Sequence, residues 1–108
     1  DEAYLLDTQG QAVAEESEKL SAVVHLYQNY PNPFSRVTTI SYEIPARMLV
    51  TLAICDVSGR TIASLVDEVQ DAGKYTVRFV ADDLPGDVYF CVLKTGKTSA
   101  ANRMVLLK

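Results

Sequence analysis

From Leu26 onward, apolar and polar residues alternate with a period of two, and this constrains the fold more than any other feature of the chain. Ile40, Tyr42 and Ile44 alternate with Thr39, Ser41 and Glu43; Val50, Leu52 and Ile54 alternate with Thr51, Ala53 and Cys55; Tyr75, Val77 and Phe79 alternate with Thr76 and Arg78. Successive side chains of a strand point to opposite faces, so each run offers one apolar face to a core. The runs 61–66, 88–95 and 100–107 are apolar on both faces or nearly so, which predicts central strands. Asp56-Val57-Ser58-Gly59 has Asp first and Gly fourth, as suits a type I turn whose Gly takes a left-handed backbone, so 50–66 reads as a hairpin. Thr95-Gly96 and Ala72-Gly73 punctuate two more strand ends. Six or seven short strands at this spacing predict an all-β fold, an immunoglobulin-like antiparallel β-sandwich.

A chain of 108 residues has room for one such domain. Its acidity is concentrated at one end. Residues 1–25 hold six acids against Lys19 alone, a net charge of −5, whereas 26–108 hold eight acids and nine bases, a net +1. Segment 1–25 therefore reads as an acidic linker or the tail of a preceding domain, and 26–108 as the sandwich. Residues 12–24 have helix propensity but, without a face to pack on, form only a marginal helix. With no basic stripe to release counterions from a phosphate backbone, a nucleic-acid partner is not expected. No apolar run nears the roughly eighteen residues of a membrane-spanning helix, so no transmembrane segment is expected. The chain opens at Asp1 rather than Met and reads as a processed product or a piece of a longer protein, with any export signal upstream.

Residues for catalysis are scarce. His25 is the single histidine and has no nucleophile signature around it, so it reads as a surface residue. Gly96-Lys97-Thr98 resembles the end of a phosphate-binding loop but has Cys91 where the fingerprint needs glycine, and a strand follows it. The acidic loop 82–87 offers hard oxygen ligands at close spacing but does not fit an EF-hand, and it suits a solvated turn equally well. Cys55 and Cys91 lack metal-site or redox spacing; they are compatible with one disulfide or with two buried thiols. No catalytic, cofactor-binding or metal-ligating residue is assigned, and the domain is not read as an enzyme.

Two segments are too particular for a generic sandwich. One is the run Gln28, Asn29, Tyr30, Pro31, Asn32, Pro33 and Phe34. Its prolines push Tyr30 and Asn32 out of the helical region, so the chain enters the domain extended. Asn29 and Asn32 are suited to bond neighbouring backbone, while Tyr30 and Phe34 are suited to plug an edge of the sandwich. The other is the closing Arg103, Met104, Val105, Leu106, Leu107 and Lys108, an apolar strand between two cations. Between them stand Cys55-Asp56-Val57-Ser58-Gly59-Arg60, in which Asp56, Gly59 and Arg60 form a D-x-x-G-R turn, and Val88-Tyr89-Phe90.

In order and spacing these motifs resemble the type A C-terminal sorting domain of the type IX secretion system, over residues 26–108. That family is immunoglobulin-like and similar to the C-terminal domain of the flagellar hook-cap protein. The chain departs from it at Ser35-Arg36, where many relatives have Asn-Pro; at Asp87, where glycine is usual; at Arg103, which replaces lysine; and at Cys55 and Cys91, which are frequently Tyr. The resemblance implies a non-catalytic signal attached to an N-terminal passenger. Such a signal is exported to the periplasm, recognised through its terminal strand by an outer-membrane translocon, and in many relatives removed by a sortase-like protease, the passenger ending at the cell surface or secreted. Segment 1–25 would contain or adjoin the cleavage region. A free terminal strand is suited to pair with a receptor's sheet edge, with Arg103 and Lys108 setting register, or it simply completes the sandwich. The competing reading is a structural or carbohydrate-associated immunoglobulin-like accessory module of a secreted glycan-degrading enzyme. It has no tryptophan to work with, and most aromatics fall in motif or strand positions.

Overall fold

The computed structural model describes residues 23–96 and 98–108. Seven strands follow one another: β1 His25–Leu26, β2 Val37–Ile44, β3 Met48–Cys55, β4 Thr61–Gln70, β5 Gly73–Val80, β6 Asp87–Thr95 and β7 Ser99–Leu106. No helix occurs among the described residues. The strands form two antiparallel sheets, one of order β1-β2-β5 and one of order β4-β3-β6-β7. The chain changes sheets between β2 and β3, between β4 and β5, and again between β5 and β6, so neither sheet is built from consecutive strands alone. This is the sandwich predicted from the alternation. The acidic linker lies, through residue 22, outside the described residues; the sheet itself takes in His25, and Val24 packs against the core.

The alternating residues make that core. Ile40, Tyr42 and Ile44 of β2 face Val50, Leu52 and Ile54 of β3, with Phe79 of β5, Tyr89, Cys91 and Leu93 of β6, and Met104 and Leu106 of β7 closing it. Tyr89 lies near the start of β6 and donates its hydroxyl to the carbonyl of Pro85, four residues back, at 2.7 Å. This is the tyrosine corner found in immunoglobulin-like sandwiches, where it pins the loop crossing between sheets to the strand it enters.

Two of the three runs expected to be central are edge strands, and only β6 lies between two neighbours. For β4 the reason is its bulges. The register runs Leu52 opposite Val66, then Ala53 opposite Ser64; and Ile54 opposite Ala63, then Cys55 opposite Thr61. Leu65 and Ile62 are thus extra residues, and each bulge reverses which parity faces inward. Ile62, Ala63, Leu65 and Val66 consequently all pack on the core from one strand. Consecutive apolar residues here mark a bulged border rather than a strand covered on both faces. For β7 the outer-face residues Ala101 and Leu107 are apolar yet exposed, so the run is covered on one face only.

Candidate functional site: the terminal strand and its strap

β7 pairs with β6 over its whole length, from Asp87 opposite Leu106 to Lys94 opposite Ser99. Its other side is a sheet border, and the backbone groups of residues 103, 105 and 107 turn toward it. Residues 28–34 run along this border and engage those groups. Phe34 N–H donates to the Val105 carbonyl at 2.9 Å, and Leu107 N–H donates to the Phe34 carbonyl at 2.8 Å, a parallel bridge. Asn32 Oδ1 accepts from Val105 N–H at 2.9 Å, while its Nδ2 donates to the Arg103 carbonyl at 3.3 Å. Gln28 Nε2 donates to the same carbonyl at 2.9 Å. Beyond the strap, Asn102 Nδ2 reaches the Leu26 carbonyl at 3.3 Å and ties β7 to β1.

The composition of the strap follows from its prolines. Pro31 and Pro33 have no N–H, so this stretch cannot complete a strand ladder with its own backbone. Side-chain amides supply the missing groups, since a primary amide carries an acceptor and donors side by side as a peptide unit does. Both X-Pro bonds, Tyr30-Pro31 and Asn32-Pro33, are cis. Asn29 turns inward and is buried; it donates to Thr38 Oγ1 at 2.9 Å and to the Pro31 carbonyl at 3.1 Å. Thr38, itself buried, donates to the Pro31 carbonyl at 2.8 Å, so each buried polar group of this kink has a partner. Phe34 enters the core at 2% exposure and meets Phe79 edge to face. The expectation that Tyr30 plugs the sandwich is corrected: its ring is 79% exposed, because the kink sends it outward while Phe34 alone fills the border. Asn32 also differs from expectation, bonding a strand 73 positions away rather than neighbouring backbone.

The terminal residues divide by parity. Met104 and Leu106 lie in the core, Val105 is half-buried, and Arg103, Leu107 and Lys108 are exposed. Lys108 nonetheless has a fixed ammonium, which donates to the carbonyls of Ala81 and Asp82, both at 3.1 Å. The Asp82 carboxylate pairs with Arg36 Nε at 2.7 Å, and that hydrogen bond holds its pKa below the ordinary carboxylate value. Asp82 of the acidic loop thus faces two cations. Gly86 of the same loop lies under the tail, where a Cβ would stand 3.0 Å from Lys108 Cβ and 3.2 Å from the Leu106 carbonyl.

The D-x-x-G-R turn forms as read. Gly59 has φ +89° and donates its N–H to the Asp56 carbonyl, while Asp56 Oδ1 accepts from Ser58 N–H, Ser58 Oγ and Arg60 N–H. These bonds, the Ser58 hydroxyl foremost, hold the Asp56 carboxyl below its ordinary pKa. Arg60 adds an exposed ion pair to Asp56 at 3.3 Å. The turn sits at one end of the sandwich and does not join the strap. The disulfide considered for Cys55 and Cys91 is not made, and both thiols are free. Cys91 pairs with Ile54, and Cys55 with Phe90. That one-residue offset puts the two side chains on opposite faces of the sheet, Cys91 in the core and Cys55 outside it.

The two segments that looked least generic in the sequence are therefore one physical unit. The family model for the secretion system C-terminal sorting domain matches residues 28–107. The chain belongs to this family of type IX secretion sorting domains. The span of the match begins at Gln28 of the strap and ends at Leu107, the residue just past β7 that the strap bonds, so the ends of the sorting domain are fastened to each other. A sorting domain is a signal rather than a catalyst, and it directs an attached protein to the cell surface or outside the cell. No curated protein matches the chain. Among the described residues no helix is long and apolar enough to cross a membrane.

The sequence carries one signal for the strap. Three amide side chains around two prolines, at 28, 29 and 32, mark an extended segment that must bond through side chains to something beyond itself. What it would bond was not visible from spacing.

Proposed function

We propose that this domain is the address label of a passenger joined to its N-terminal side, read at the outer membrane by the secretion translocon through residues 103–108. The passenger crosses the periplasm with the label attached. Residues 26–108 are the label, and the acidic segment 1–25 is the linker within or beside which a sortase-like protease cuts. Family membership supports the role, and one observation supports the location. β7 lies at a sheet border, and it and the two residues after it expose Arg103, Leu107 and Lys108 to solvent while Met104 and Leu106 hold the strand to the core.

Removing Arg103–Lys108 from the full-length parent is expected to leave the passenger in the periplasm. That deletion also takes Met104 and Leu106 out of the core, so a surface-only variant accompanies it: Arg103→Glu with Leu107→Asp. The double variant is expected to keep its β-sheet circular dichroism and to accumulate with its passenger in the periplasmic fraction. Normal surface display of both variants refutes the reading.

A further inference from the structure

The outer border of β7 is closed over only part of its length. The strap engages Arg103 C=O, Val105 N–H and C=O, and Leu107 N–H. By the same alternation, Ala101 N–H and C=O and Arg103 N–H turn outward, and they have no protein partner among the described residues. The body of the strap is fixed to β2, where Tyr30 exchanges backbone hydrogen bonds with Thr39 and Asn29 is buried, but its hold on β7 is uneven. Phe34 is buried and bonds through its own backbone, whereas Gln28 and Asn32 are exposed and bond through side-chain amides. Asn32 donates to one peptide group and accepts from the next, which is what a residue of a neighbouring strand would do.

Resting on the sorting role proposed above, we infer that the amides of Gln28 and Asn32 hold a place for an extended strand of the receptor. The amides leave, Phe34 stays, and the border opens from Ala101 to Val105. Five backbone groups then become available in a row: N–H and C=O of Ala101, N–H and C=O of Arg103, and N–H of Val105. A receptor strand adds to the sheet there through main-chain bonds. Arg103 is the one charged side chain on this stretch of the border and is exposed, so the incoming strand carries an acidic residue opposite it. Until the amides release, they occupy the groups the receptor needs, and the domain is read in the opened form.

Hydrogen exchange on the 108-residue chain tests the opening. The Val105 amide, held by a side chain, is expected to exchange about tenfold or more faster than the Leu107 amide, held by Phe34 backbone. Asn32→Ala is expected to speed Val105 further without moving Leu107 or Leu93. If Val105, Leu107 and Leu93 exchange together, the strap is part of the global fold and the inference fails. Export of the full-length parent tests the consequence. An Asn32→Cys/Val105→Cys pair in a Cys55→Ser, Cys91→Ala background is compared with itself, oxidised against reduced. Oxidation is expected to cut surface display about tenfold or more, because one locked strap blocks the whole border. Equal display of the two forms, with the 103–108 deletion still blocking export, overturns the placeholder alone; normal display of the deletion overturns the sorting role beneath it. If neither cysteine form is exported, the exchange result decides.

Discussion

Single carboxylates and thiols of this domain have behaviour that follows from their neighbours. Asp56 accepts three hydrogen bonds on one oxygen, so its folded pKa lies below its unfolded value. A depressed carboxylate contributes stability that is present above the unfolded pKa and is lost as pH falls through the folded one. The melting temperature is therefore expected to fall as pH drops through and below the ordinary carboxylate range. Asp56→Asn, which keeps an acceptor but loses the charge, is expected to flatten that slope in part, since Asp82 is depressed as well. An unchanged slope in the variant excludes the turn as its source. The two thiols differ as sharply. Burial, with a smaller effect of Cys55, pushes the Cys91 pKa up to about 12, so in the folded domain it stays a protonated core thiol. Alkylation of native protein is expected to modify Cys55 and spare Cys91, while denatured protein takes two labels without prior reduction. A mass two daltons low before reduction would contradict this.

At the scale of elements, β7 carries core residues and surface residues on alternate positions. Met104 is fully buried, so Met104→Ala is expected to cost about 2–5 kcal/mol in urea unfolding. Leu107 keeps its side chain in solvent at 55% exposure, so Leu107→Asp is expected to change stability by less than about 0.5 kcal/mol. Comparable losses for both would mean that the strand's parity is wrong. The alternation of β2, β3 and β5 could be read directly, because a one-sided strand writes its inner face into the sequence with period two. β4 resembles a central strand in sequence because its two bulges mix both parities on the inner face, so an edge strand imitates a central one. β7 reads as central in the sequence because Ala101, Val105 and Leu107 imitate a covered outer face, although Ala101 and Leu107 are exposed. Both edges of the four-stranded sheet are thereby blunted, one by bulges and one by the strap, which limits unwanted edge pairing.

For the whole molecule, the decisive contact joins the two ends of the sorting domain. Phe34 and Leu106 bridge in parallel and both lie in the core. A double-mutant cycle of Phe34→Ala and Leu106→Ala is expected to give a coupling of about 0.5–3 kcal/mol. Additive effects would show that strap and strand are stabilised independently.

The order of alternating runs, glycine-bearing turns and proline-broken entry sufficed to determine an antiparallel sandwich, since each is a local property that a few consecutive residues encode. The meeting of Gln28 and Asn32 with Arg103 and Val105, the latch of Lys108 on the Ala81 and Asp82 carbonyls, and the separation of Cys55 from Cys91 across a sheet were decided by tertiary structure. Such contacts depend on strand order and on register to within one residue, and a shift of one residue moves every side chain to the other face.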